Sequence, residues 1–197
     1  MRRSKIVIML LAVCAMAGIA SANLLSNGNF NDPDSTAAPT DWNIWTYGGG
    51  WANHQNTNIP FDGSYFMAVG GSSDAGAGLY QIVAGTEGVE YTLTVEAGAQ
   101  AWWKPLGEMK MFFLDSSDAE ISSVIAVTAD PPGYDIQVDW HSVSLTAIAP
   151  VGTTQVKVEL ACASGQGTVW FDNAVLVPEP ATLVILGLGG LLLRRKK

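Results

Sequence analysis

The stretch Val89-Glu90-Tyr91-Thr92-Leu93-Thr94-Val95-Glu96 places an apolar residue at every odd position and a polar one at every even position. Successive side chains on a β-strand point to opposite faces, so this period of two describes a strand buried on one face and wet on the other. Ser142-Val143-Ser144-Leu145-Thr146-Ala147 and Gln155-Val156-Lys157-Val158-Glu159-Leu160 alternate in the same way. One-sided strands of this kind belong to antiparallel sheets. Further strands are expected over 64–70, 78–84, 108–114, 121–128 and 168–177. Clusters of Gly, Pro, Asp and Ser separate them, such as Gly85-Thr86-Glu87-Gly88 and Asp130-Pro131-Pro132-Gly133. No helical period of useful length appears between residues 23 and 177. The expected architecture is all-β: an antiparallel two-sheet sandwich of jelly-roll type.

The ends of the chain read as addresses. Arg2, Arg3 and Lys5 precede an apolar run from Ile6 to Ala17, and Ala20-Ser21-Ala22 offers small residues at the cleavage positions. Residues 1–22 therefore read as a signal peptide, cut before Asn23. Residues 23–177 form the expected domain and 178–197 a separate tail. In the tail, Pro178-Glu179-Pro180 leads into thirteen residues, Ala181 to Leu193, that are apolar apart from Thr182, and then into Arg194-Arg195-Lys196-Lys197. A helix of that length rises about 20 Å, short of the roughly 30 Å of bilayer hydrocarbon. The segment suits a temporary membrane stop better than a permanent anchor, with its basic end on the cytoplasmic side.

The three-part tail resembles the PEP-CTERM sorting signal. That resemblance implies an exosortase-type processing enzyme acting near Pro178-Glu179-Pro180, after signal peptidase has acted at Ala20-Ser21-Ala22. It also implies residence in the cell envelope or extracellular matrix, commonly alongside exopolysaccharide.

Charge narrows the partners. Residues 23–177 carry three basic residues (Lys104, Lys110, Lys157) against seventeen acidic ones, a net charge of −14. A surface this acidic repels nucleic acid and anionic lipid, so neither is expected as a partner. Removal of the signal peptide leaves Cys162 as the only thiol. It falls on the apolar side of its strand and is expected in the core.

A second resemblance covers the domain. Asn23-Leu24-Leu25-Ser26-Asn27-Gly28-Asn29-Phe30, Pro39-Thr40-Asp41-Trp42, Asp62-Gly63-Ser64-Tyr65, Leu79-Tyr80-Gln81-Ile82-Val83 and Val169-Trp170-Phe171-Asp172-Asn173-Ala174-Val175-Leu176 follow in an order similar to carbohydrate-binding modules with the galactose-binding-like jelly roll. The resemblance implies a structural Ca²⁺ tying the opening segment to the closing strand, through positions matching Asn31, Asp172 and the neighbourhood of Asp62. Asn31 stands where the family has Glu, which removes a charge and a bidentate ligand.

No HExxH, GxSxG, P-loop or dinucleotide fingerprint is present, and nothing marks an acid, base or nucleophile, so no enzyme is expected. Seven Trp residues, all within the domain, point instead to a ligand with flat C–H faces, such as a polysaccharide. Tyr47, Trp51 and Tyr134, read as lying on loops, and Trp102 and Trp103, adjacent on a strand, are the candidate sugar contacts. Trp42, Trp140 and Trp170 are expected to be structural. The segment from Trp42 to Asn56 reads as a binding loop. A structural envelope protein without specific sugar binding and a glycoside hydrolase are the competing readings.

Overall fold

In a computed structural model of the chain, described over residues 22–32, 38–56, 60–71, 75–129 and 140–179, eight strands succeed one another without a helix among the described residues. They are β1 (Asn43–Tyr47), β2 (Trp51–Gln55), β3 (Phe66–Gly71), β4 (Gly76–Ala84), β5 (Glu90–Leu114), β6 (Glu120–Ala129), β7 (His141–Ile148) and β8 (Gln155–Pro178). The apolar tail segment expected to be helical, together with nearly all of the signal peptide, lies outside the described residues.

The alternation around Leu93 has the expected consequence. Tyr91, Leu93, Val95 and Ala97 are buried, while Thr92 and Thr94 face outward. There their hydroxyls meet Thr146 and Ser144 of β7 at 2.9 and 3.2 Å. The first half of β5 pairs with β7 and its second half with β6, all antiparallel. β8 is divided in the same way: its first half pairs with β4 and its second with β3.

The two long strands therefore serve both layers, and the result is two antiparallel sheets of five strands each. In the first layer β1, β4, the first half of β8, the second half of β5 and β6 lie side by side. Thr154 N–H donates to Leu114 O at 2.9 Å, and Lys110 pairs with Glu159, so β5 and β8 are neighbours there. The second layer holds β2, β3, the second half of β8, the first half of β5 and β7.

The core lies between the layers. Leu79, Met109, Met111, Phe113, Val156, Val158, Leu160 and Cys162 enter it from the first layer, and Met67, Val69, Leu93, Val169 and Phe171 from the second. Each fully buried large side chain contributes about 1.5–3 kcal/mol through removal from water. Cys162 is buried among them, and desolvation pushes its thiol up to about 11. Along β8 the alternation shifts by one residue at Asn173, whose φ is 49°: Phe171 precedes it on the inner face, and Ala174 and Leu176 follow.

The opening segment closes one end of the sandwich. Asn23 Oδ1 accepts from Leu25 N–H and Leu176 N–H at 3.1 and 2.8 Å, and its Nδ2 donates to Ala174 O at 3.0 Å. Gln81, an inward residue of β4, accepts from Ser26 N–H at 2.8 Å and donates to Ser26 O and Asp41 O, both at 3.1 Å. Trp42 is buried, its Nε1 donating to Ser26 O at 3.1 Å, with its ring tilted against Phe30.

One expectation fails here. The segment from Trp42 to Asn56 is not a loop. It contains β1 and β2, joined through a turn at Gly48–Gly50 in which Gly50 N–H donates to Tyr47 O at 2.9 Å. The two strands then part, β1 pairing with β4 in the first layer and β2 with β3 in the second.

Gly28 is where the opening segment touches β8: Ala174 N–H donates to Gly28 O at 2.7 Å, and a Cβ on Gly28 would run into the Ala174 carbonyl. Gly28→Ala is expected to lower the unfolding free energy by about 1–3 kcal/mol, read from urea denaturation.

Candidate carbohydrate-binding face

The outward face of the first layer is built from residues that the core does not claim. On β1, Ile44 points inward, which sends Trp45 and Tyr47 outward. Their partners across the strand pair are Gly78 and Gly76. Because these two residues have no side chain, the aromatic rings lie over bare backbone. A Cβ on Gly78 would sit 2.8 Å from Trp45 Cε2, and one on Gly76 would sit 2.7 Å from Tyr47 Cε1. The two ring planes are 5° apart, with centroids 6.0 Å apart. Tyr47 is 52 % exposed, and its hydroxyl lies 3.4 Å from Ala163 O. Trp45 is half-buried, and its Nε1 is buried without an acceptor among the described residues. A buried, unsatisfied N–H costs about 1–3 kcal/mol, so the ring's attitude is not explained by hydrogen bonding.

Beyond the aromatic pair lies a band of charge. Tyr80 is opposite Glu159, and Ile82 opposite Lys157. Lys157 Nζ is 2.9 Å from Glu159 and sits 4.6 and 4.8 Å from the centroids of the Tyr80 and Phe112 rings, which attract it through their π faces. Lys110 Nζ is 2.8 Å from Glu108 and 3.5 Å from Glu159. The two carboxylates hold the Lys110 ammonium above its ordinary pKa against the opposing pull of desolvation. Two of the three lysines in residues 23–177 are thus neutralised on this face. The face ends at Ile125 and Val127 of β6, which are exposed.

The predicted sugar contacts are distributed unevenly. Tyr47 is on this face. Trp51 is not: it lies on the outward face of the second layer, over Gly70. Trp102 and Trp103 belong to β5, where it passes between the layers, but their side chains lie outside the described residues, as does Tyr134. Of the sorting positions, Ala22 and Glu179 are exposed and Pro178 ends β8, whereas Ala20 and Pro180 are outside the described residues. Trp45 escaped the sequence reading, although Trp-x-Tyr on one strand facing Gly-x-Gly on another is a signal once the pairing is known. Trp170 is buried and packs with Phe66 and Trp140 at 5.8 and 6.4 Å.

Asn31, Asp62 and Asp172 do come together. Asn31 Oδ1 accepts from Ser64 N–H and Tyr65 N–H at 2.8 and 3.0 Å. Asp172 Oδ2 accepts from Phe61 N–H and Asp62 N–H at 3.1 and 3.2 Å, and its Oδ1 from Asn173 N–H at 2.7 Å. An amide oxygen has two lone pairs, so that of Asn31 is fully used. Asp172 is fully buried, and desolvation pushes its carboxyl up to about 6 against the pull of the three N–H donors. Among the described residues no cluster of three or more His, Cys, Asp or Glu is placed to hold a metal. Calcium requires several free oxygens, and this arrangement does not fit it.

Comparison with known proteins adds two findings. Residues 176–197 match the PEP-CTERM protein-sorting motif. Comparison with curated proteins gives no match. Among solved structures, the enzymatically active domain of tailspike protein 4 from bacteriophage CBA120 superposes with a TM-score of 0.62 at 16 % identity, over 79 % of this chain and 21 % of that one. A family 61 carbohydrate-binding module in complex with β-1,4-galactotriose gives 0.56 at 17 % identity, over 81 % of this chain and 100 % of that one. The family 22 xylan-binding domain of a Paenibacillus barcinonensis protein gives 0.53 at 11 % identity, over 81 % of this chain and 97 % of that one. The fold is the jelly roll of carbohydrate-binding modules.

The raised Asp172 pKa sets a pH dependence. Between about pH 4 and 6 the folded state keeps a proton that the unfolded state releases, so this group's contribution to stability declines as pH rises through that window. Urea denaturation of the wild type across that range is expected to show the decline, and Asp172→Asn to lack it.

Proposed function

We propose that the chain is an exported, non-catalytic glycan-binding protein that lays a neutral polysaccharide across the outward face of its first layer. The observation that carries this reading is the Trp45–Tyr47 pair, held parallel over Gly78 and Gly76. Flat aromatic surface fixed in advance binds the C–H face of a pyranose without the entropy cost of ordering a loop. At the side of the aromatic pair Glu108 keeps a partly exposed carboxylate, whereas Glu159 is buried with its two oxygens on Lys110 and Lys157. Because both lysines are ion-paired and the domain is strongly acidic, the face favours uncharged sugars over uronic acids.

The sorting motif supports export through the membrane, with exosortase-type processing near Pro178-Glu179-Pro180 and delivery to the envelope or matrix. Two carboxylates on a sugar face raise the question of hydrolysis. A glycosidase needs one carboxyl kept protonated as its acid. Here both carboxylates are ion-paired to the same ammonium, 2.8 and 3.5 Å away. This supports binding over turnover. Calcium has no part in the proposal, since hydrogen bonds from backbone donors fill the place where the resemblance implied an ion.

The exposed Ile125 and Val127 of β6, an edge strand of the first layer, favour a second reading: a structural envelope protein whose blocks associate along that edge. Sedimentation separates the two, because the binding reading does not require self-association.

The test is affinity electrophoresis of the full chain in non-ionic detergent through gels containing soluble β-1,4-galactan or xylan. Retardation is expected for the wild type, and Trp45→Ala is expected to weaken binding about tenfold, the equivalent of about 1.4 kcal/mol. Absence of retardation on every polysaccharide tried would sink the reading. Addition of a chelator is expected to change neither retardation nor melting temperature.

A further inference from the structure

The turn at Gly48–Gly50 sends Tyr47 and Trp51 to different layers, and the second layer carries its own aromatic-on-glycine arrangement. Trp51 is opposite Gly70, and its indole occupies the space that a Cβ on Gly70 would need, clashing at Cε2, Cζ2 and Nε1. The indole is nevertheless 37 % exposed. It is therefore fixed on one face and open on the other.

Strand geometry places Asn53 and Gln55 on the same side as Trp51, since they follow at intervals of two. Ala52, between Trp51 and Asn53, is buried and faces the core, which confirms the direction. Asn53 is exposed and Gln55 half-buried, and neither side-chain amide makes a hydrogen bond to another described residue. Asn53 pairs with Ala68 and Gln55 with Phe66, both buried in a second apolar cluster with Trp170 and Trp140, which borders the strip on that side. Trp51 to Gln55 spans about 13 Å along the strand, longer than a single sugar ring. The strip carries no charge, and β2 is the end strand of its sheet, with no further strand paired to it among the described residues.

An indole open on one face, followed along one strand by two amides without protein partners, is what stacking on a pyranose and bonding to its hydroxyls require. We propose that Trp51, Asn53 and Gln55 form a second binding strip for a neutral polysaccharide, on the side of the sandwich opposite the Trp45–Tyr47 face. The outward faces of two stacked sheets point away from each other, so one polymer chain cannot lie on both at once. The domain is then bivalent and joins two chains. The strip has its own residues and face, and its bivalency with the Trp45–Tyr47 face rests on the preceding reading.

The experiment uses the full chain in non-ionic detergent with soluble β-1,4-galactan and xylan as probes, and follows both gel retardation and the turbidity that accompanies cross-linking. Trp45→Ala and Trp51→Ala are each expected to keep partial retardation and to lose turbidity, and the double variant to lose both. Gly70→Ala, which displaces the indole without removing it, is expected to reproduce Trp51→Ala. Circular dichroism confirms that each variant is folded. If Trp51→Ala matches the wild type in both measurements while Trp45→Ala abolishes them, the second strip is overturned and the first face stands. If Trp51→Ala alone abolishes retardation and Trp45→Ala changes nothing, the strip binds, but bivalency and the first face both fall. If the wild type is neither retarded nor turbid on either polymer, both proposals fall.

Discussion

Two strands long enough to run through both layers impose one constraint on everything else: whichever sheet a segment lies in, its apolar side must face the other sheet. β5 and β8 are shared, so the inner face has to remain inner where each strand passes from one sheet to the other. β5 achieves this with odd-numbered residues in both halves, from Tyr91 to Ala97 and again from Met109 to Phe113, despite a register irregularity at Gly107 and Glu108. β8 does so with even positions, Val156 to Cys162, and then odd ones, Val169 and Phe171. The interlayer region takes up the aliphatic side chains. On the outward face of the second layer Phe66, Ala68 and Trp170 form a second buried cluster with Trp140 packed against it, and the composition of what lies beyond it is informative. Trp45, Tyr47 and Trp51 lie over glycines on the outward faces of the two layers. Core packing has no need of such pairs. Glycine inside a strand weakens it, and Gly78 is kept glycine by the close approach of the Trp45 ring and of Leu160 O.

The same constraint explains which parts of the fold were legible. The segments around Leu93, Leu145 and Val158 follow the rule of apolar inside and polar outside, and each is a strand where the alternation places it. The closing strand was legible for a related reason: Val169, Phe171, Ala174 and Leu176 are a buried set interrupted once by the left-handed Asn173. β1 and β2 invert the rule, because their largest aromatic residues face solvent and only Ile44 and Ala52 point inward. A run such as Trp45-Thr46-Tyr47-Gly48-Gly49-Gly50-Trp51 therefore looks like a loop, although its ends are paired. Trp45 could be identified only through Gly76 and Gly78, thirty residues away, and a single sequence does not say which strands pair. Tyr47, which reads as a loop aromatic, is instead the last residue of β1.

The cluster of Asn31, Asp62 and Asp172 illustrates the other limit. The resemblance to carbohydrate-binding modules implied that these three meet, with the opening segment against the last strand, and they do. Order along the chain could not reveal the direction of the backbone N–H groups. Those of Phe61, Asp62, Ser64, Tyr65 and Asn173 all point at the two side chains, so the position that suggested a cation is held by hydrogen-bond donors instead. The exchange is chemically coherent. Replacing a family carboxylate by the neutral Asn31 amide lowers the need for a cation. The remaining Asp172 is then tolerated in a buried setting because three N–H groups face it and because its carboxyl, pushed up to about 6, sheds its charge readily.

Charge placement joins the domain to its tail. The seventeen acidic residues of 23–177 give a strong negative field, and two of the three lysines are spent inside the Glu108–Lys110–Glu159–Lys157 network. That network stands on a face otherwise lined by Trp45, Tyr47, Tyr80 and Phe112, where isolated like charges would repel a ligand and isolated lysines would recruit anions. Pairing them leaves a network with no net sign. Meanwhile the basic residues of the chain are concentrated at its two ends, in segments that the sequence reads as removable. Loss of both ends would take the net charge from −8 for the whole chain to −14 for residues 23–177 and remove seven of its ten basic residues. The acidic remainder is held near a surface only by something other than charge. On the proposed reading, the uncharged aromatic strips on both outward faces would supply an attachment of that kind, because stacking against neutral sugar is indifferent to a field of either sign.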